Sequence, residues 1–107
     1  MSKNFHIGDI LSITTGKLVS PNHMDGIYEI LDYMTGDKLF THQLPRASEV
    51  CKPLLLKQMP WLIEISAEEV NRENWETWLA EIVQKYGEFH KVEEIPSDYH
   101  SYINPLT

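Results

Sequence analysis

The stretch GDILSITTG, residues 8–16, decides how the N-terminal part of the chain is built. Isoleucine, serine and threonine alternate there, β-branched residues dominate, and Gly16 ends the run. Alternation of β-branched residues bounded by glycine is the pattern of an extended segment, so residues 9–14 are expected to form a strand, with Phe5 and Ile7 extending it. The partner expected for it lies at the far end of the chain. EFHKVEEI, residues 88–95, reads as a second strand, followed by a proline- and tyrosine-containing tail, PSDYHSYINPLT, expected to wrap the surface irregularly.

Between these two segments the periodicity is helical. In SPNHMDGIYEILDYMTGD, Ser20 can cap and Pro21 suits the first helical position. Met24, Ile27, Leu31 and Met34 then recur at helical spacing, with Ile30 beside them, and Gly36 fits the left-handed residue past the end. Gly26 inside this helix costs about 1 kcal/mol relative to alanine, which points to close packing there or to a helix start near Asp25. A further helix is expected from about residue 43 to 52, capped by Thr41 or His42, with Pro45 in its first turn. Pro53 then opens a continuation that stops before Pro60, because a proline deep in a helix loses a hydrogen bond and clashes with the preceding turn. Ser66 and Glu69 have capping-box spacing, and Asn71 can cap the main C-terminal helix. Trp75, Trp78, Leu79, Ile82, Val83 and Tyr86 form its broad apolar face, and Gly87 its stop. The expected fold is therefore a single compact α+β domain spanning residues 1–107, with about three helices packed on a small antiparallel sheet.

Composition narrows the function. The 107 residues are 42% hydrophobic and 23% charged, an ordinary globular balance. No apolar run approaches the length of a membrane span, and MSKNFHIGDI lacks the apolar core of a signal peptide. Cys51 is the single cysteine, which excludes an internal disulfide. A packed, reduced thiol in a cytoplasmic protein is expected. Residues 1–60 carry six acids and six bases. The net charge of −7 thus lies wholly in residues 61–107, among them Glu73, Glu76, Glu81, Glu88, Glu93 and Glu94. Such a half repels phosphate backbones and attracts basic surfaces, so direct nucleic-acid binding is not expected; solubility alone is the plainer explanation of the charge.

Catalytic chemistry finds little footing. The five histidines show no metal-ligand spacing, there is no phosphate-binding glycine loop, and no cofactor motif is present. Glu29 and Asp32 have the spacing of a solvated helix face. The polar cluster in LFTHQLPRA, residues 39–47, has two readings. Thr41, His42 and Gln43 satisfy the unpaired backbone groups of a helix start, or His42 and Arg46 form a recognition patch for a carboxylate, a phosphate or a partner's backbone. Trp61, following Pro60, is the tryptophan expected to stand partly exposed as a partner anchor, whereas Trp75 and Trp78 are expected in the core.

Over residues 8–62, through GDILSITTGKLVSP and MDGIYEILDYMTGDKLFTHQLPRA, the chain resembles a family of small uncharacterised proteins of bacteria, phages and mobile elements, with a weaker likeness in ENWETWLAEIVQKYG. That resemblance supplies no catalytic residues. It implies a context in which small acidic proteins inhibit host defence, as anti-CRISPR proteins do. The leading expectation is therefore a non-catalytic binding protein that occupies a basic or nucleic-acid-binding surface of a protein partner, a CRISPR effector being one such target. Thr41, His42, Gln43, Arg46, Trp61, Glu73, Glu76, Glu81, Glu93 and Glu94 are its candidate contact residues. The alternatives are a small hydrolase or metal-assisted enzyme centred on His42, and a self-associating accessory phage protein.

Overall fold

Residues 8–15 are helical, and the strand precedes them. In the computed structural model, which describes residues 2–36 and 38–93, β1 (Ser2–His6) runs directly into α1 (Ile7–Thr15). The expected strand over 9–14 is thus corrected. Ile7, Ile10, Leu11 and Thr14 lie at helical spacing, and every residue from Ile7 to Thr14 is buried. A helix enclosed on all sides has no polar stripe to reveal its period. Its small hydroxyls are satisfied locally: Ser12 Oγ donates to the Gly8 carbonyl at 2.8 Å and Thr15 Oγ1 to that of Leu11 at 2.6 Å. The His6 side chain caps the start, and Gly16, at φ 77°, ends the helix in the left-handed region.

β1 pairs antiparallel with β2 (Phe89–Glu93), placing Phe5 opposite His90 and His6 opposite Phe89. The second strand therefore forms where expected, but against residues 2–6. The remainder of its expected span, Glu94 and the tail lie outside the described residues. Phe5 and Val92 are buried on the inner side of the sheet, while Asn4, Phe89 and Lys91 are exposed.

α2 (His23–Thr35) buries Gly26, Ile30, Leu31 and Met34. It begins later than the Ser20–Pro21 signal suggested: the Ser20 hydroxyl accepts from the Asn22 amide at 3.0 Å, closing a turn ahead of the helix. Gly36 ends it at φ 75°, donating to the Asp32 carbonyl, as the sequence suggested.

A 3-10 turn at Thr41–Gln43 leads into α3 (Leu44–Gln58), which buries Leu44, Ala47, Cys51 and Leu55. Neither Thr41 nor His42 caps α3. The buried Gln43 instead reaches back, its Oε1 accepting from the Phe40 amide at 2.8 Å. Pro53 does not open a separate turn; α3 passes through it. Pro53 is exposed, so water can take up the carbonyl its ring releases, while the buried face keeps the helix continuous. α1, α2 and α3 pack against one another. Burial pushes the Cys51 thiol up to about 12, consistent with an inert packed cysteine.

The chain then turns through Pro60–Glu64 and buries Ile65, Ala67 and Val70. Lys17 fastens this segment, donating to the carbonyls of Glu68 and Val70 at 3.1 Å each. Asn71 Oδ1 accepts from the amides of Glu73 and Asn74, and α4 (Trp75–Tyr86) starts one residue beyond. Of the α4 face only Leu79 is buried; Trp75, Trp78, Ile82, Val83 and Tyr86 are half-buried. The two tryptophans expected in the core are thus only partly covered. Among the described residues the architecture is four α-helices and a two-stranded antiparallel sheet around one hydrophobic cluster, one helix more than expected because residues 7–15 are helical.

Candidate docking cleft

Incomplete cover of α4 leaves a cleft of about 600 Å³ between that helix and the β1–α1 junction. Leu79 and Val83 from α4 and Pro21 from the turn before α2 supply apolar walls. His6 and His23 line it, and Glu76 and Glu88 add carboxylates. Among the described residues no lysine or arginine lines this cleft.

His6, Glu88 and His23 are each positioned by an identifiable contact. His6 Nδ1 accepts the Gly8 amide at 2.9 Å, which leaves the opposite nitrogen, Nε2, 3.8 Å from Glu88 Oε1. The His6 ring also meets Phe89 edge-on at 5.6 Å. The Ile7 amide donates to the Glu88 carbonyl at 2.8 Å, so the sheet pairing itself places Glu88 beside His6. His23 sits at φ 54°, an uncommon conformation for a residue with a side chain, and its ring meets Trp75 edge-on at 5.9 Å.

Beneath the His6 and Pro21 side of the cleft lies a buried polar pair. Asp9 is 2% exposed and accepts a hydrogen bond from the Ser20 hydroxyl. Gly26 faces this pair: a Cβ there would collide with the Asp9 carboxylate and the Ser20 hydroxyl. The close packing suggested by a glycine in mid-helix is therefore real, and its cause is a carboxylate. Burial pushes the Asp9 carboxyl above its ordinary range, against the opposing pull of the Ser20 bond and of His6, and Glu29 pushes it the same way as burial.

The residues singled out in the sequence do not converge on this cleft, Glu76 apart. Thr41 bonds to the Tyr28 hydroxyl and lines a separate groove with Leu18, Met24 and Leu44. His42 is exposed and stacks on Phe40, itself 68% exposed, at 6.0 Å. Gln43 is internal and Arg46 exposed. Trp61 is half-buried, stacked on Tyr86 at 4.9 Å and against His90 at 5.0 Å. Glu81 is exposed on α4, whereas Glu73, expected on that helix, is exposed in the turn before it, because α4 starts only at Trp75. Glu93 has its backbone held by the Gln58 amide, whose Oε1 accepts from the Glu93 amide at 3.0 Å. Sequence reasoning passed over His6, His23 and the role of Glu88 as neighbours. The one signal available was Asp9, a charge inside an apolar run that has to be compensated from nearby. Among the described residues no three histidine, cysteine or acidic side chains come together as a metal site, and no helix is long and apolar enough to cross a membrane.

A family model described as a domain of unknown function, DUF7736, matches residues 5–65, more than half of the chain. The matched region runs from β1 to the turn after α3 and stops before α4. Its description carries no activity and no link to phages or to host defence. No curated protein and no solved structure matches the chain.

Proposed function

The chain belongs to the DUF7736 family of domains of unknown function, and from its own geometry we propose that it is a non-catalytic binding protein whose α4 cleft and acidic α4 surface receive a basic surface of a protein partner. The cleft carries this reading: apolar walls that gain from being covered, carboxylates at Glu76 and Glu88, and no lining lysine or arginine among the described residues. Glu81, exposed on the same helix, and Glu73, exposed in the turn before it, extend the negative field outward. A partner that normally holds nucleic acid presents the matching positive surface. The finer reading, an anti-CRISPR-like inhibitor of host defence, rests on the resemblance of residues 8–62, and the cleft adds only that a nucleic-acid-binding surface has the right sign of charge. An enzyme centred on His42 is less favoured, because that ring stands exposed on Phe40 without an orienting acid beside it among the described residues.

The test starts with capture of the partner from the host and its identification by mass spectrometry. Affinity is then measured for the wild-type protein and for the Glu76→Lys/Glu88→Lys variant. The double reversal should weaken binding by at least about tenfold, as loss of complementary charge at a contact does. An unchanged affinity in a folded variant would rule the cleft out as the contact.

A further inference from the structure

Both histidines lining the cleft are placed so that a proton alters its charge, and this bears on what the cleft can hold. Resting on the docking reading above, we propose that the cleft is a receptor for a lysine- or arginine-bearing segment that is open while His6 and His23 are neutral and closed when they are protonated.

The Nδ1 of His6 accepts the Gly8 amide at 2.9 Å, so in the folded protein the neutral ring carries its proton on Nε2. A second proton has to go on Nδ1, where it faces the Gly8 N–H. Two donors then oppose each other, and the amide that starts α1 loses its acceptor. Gly8 cannot turn away freely, because a side-chain atom there would already collide with the Val19 carbonyl and with Pro21. Pro21 itself lines the cleft. Protonation of His6 thus loosens the wall of the site as well as charging it.

The charges around the ring set the outcome. Asp9 lies on the same turn of α1, with its carboxyl influenced by both His6 and Glu29. Glu88 Oε1 is 3.8 Å from Nε2, and Glu76 lines the opposite wall from α4. Of the lysines on the sheet, Lys3 lies on the strand of His6 and Lys91 on that of Phe89, and neither lines the cleft. His23 shares the cleft with Glu76 and Glu88, and on its other side borders a groove with Lys17 and Arg72; Asp25 follows it on α2. Once formed, an imidazolium at His6 faces Glu88 and cancels the carboxylate that would otherwise meet the partner's cation. With both rings neutral the lining carries two carboxylates; with both charged it carries none in excess.

The probe is a synthetic amphipathic peptide of leucine and lysine, with a leucine–glutamate peptide as control, titrated against the intact chain between about pH 5.5 and pH 7.5, the span over which histidine changes charge. The wild-type protein should bind the lysine peptide about tenfold more tightly at the upper pH than at the lower, a factor of the size that contact charges carry. The informative variant is His6→Asn/His23→Gln. Asparagine is a good helix cap and keeps an acceptor for the Gly8 amide without titrating, so the variant should fold and bind equally well at both pH values. Nitrogen NMR of the His6 ring should show the Nε2–H form near pH 7.5, with the Gly8 amide signal moving as the ring titrates. A pH dependence that persists unchanged in the variant overturns the gate but leaves the docking site standing. Absence of lysine-peptide binding at every pH, with His6 still titrating against the Gly8 amide, overturns the receptor and the docking reading on which it rests.

Discussion

At the scale of single residues, the Asp9–Ser20–Gly26 contact has the sharpest consequences. Gly26 is required because a carboxylate and a hydroxyl occupy the space of a side chain. Gly26→Ala should therefore destabilise the protein by about 1–3 kcal/mol, the usual cost of overpacking, despite alanine's better helix propensity. Chemical denaturation measures it, and a stabilised variant would show that the cluster yields freely. Asp9 makes a pH prediction whose sign follows from its environment. Its folded-state value is raised, mainly by burial, so between the ordinary value and the raised one the folded protein holds a proton there that the unfolded chain has released. The stabilising contribution is complete below the ordinary carboxylate value of 3.8 and is lost as pH rises through the raised one. Asp9→Asn removes that loss while still accepting from Ser20. The variant should gain stability relative to wild type at neutral pH, with the gain shrinking toward pH 4. Parallel urea titrations at both pH values check this, and a gain independent of pH would remove Asp9 as the cause.

At the scale of elements, α4 is where charge and packing separate most cleanly. Its apolar side is half-covered by the domain, its outer side carries Glu81, and Glu73 stands exposed in the turn just before it. Exposed charges act mainly on association rate and are screened by salt. Glu73→Lys/Glu81→Lys should leave the fold intact, slow association with a basic partner by about tenfold at low salt, and flatten the salt dependence. His42→Ala/Arg46→Ala is the contrasting variant, and should leave association unchanged. The opposite pattern in stopped-flow rates would move the working surface to LFTHQLPRA. The helix boundaries were legible to different degrees for physical reasons. Gly36 and Gly87 announced the ends of α2 and α4, because a positive φ is a local demand that glycine meets at least strain. The start of α3 was placed within one residue, but its cap was not: Gln43 precedes the helix without a side-chain cap bond, and its Oε1 accepts instead from the Phe40 amide ahead of the 3-10 turn.

At the scale of the whole molecule, the last strand returns to the first and closes the cleft on the side of His6. The sheet register brings Glu88 to His6, and the packing of α4 brings Glu76 across from it. Among the described residues no cluster of potential metal ligands contributes to this closure. Chelation should therefore leave the melting temperature unchanged, since a structural metal that is removed takes its folding free energy with it. Elemental analysis finding about one metal ion per chain, with a drop in melting temperature on chelation, would contradict this.

What the sequence determined by itself are the features written locally: glycine stops, the amphipathic period of α2 and α4, the strand at 89–93, the packed Cys51, and the placement of all net charge after residue 60. These depend on backbone preference or on counting, and neighbours along the chain suffice. Tertiary structure alone decided that residues 8–15 coil rather than extend, because α1 is buried over nearly its whole length and burial on every face erases the polar stripe that marks a helix. It alone decided the cleft as well. His6, His23, Glu76 and Glu88 are scattered from one end of the chain to the other, and only long-range packing, which no local pattern encodes, brings them onto one surface.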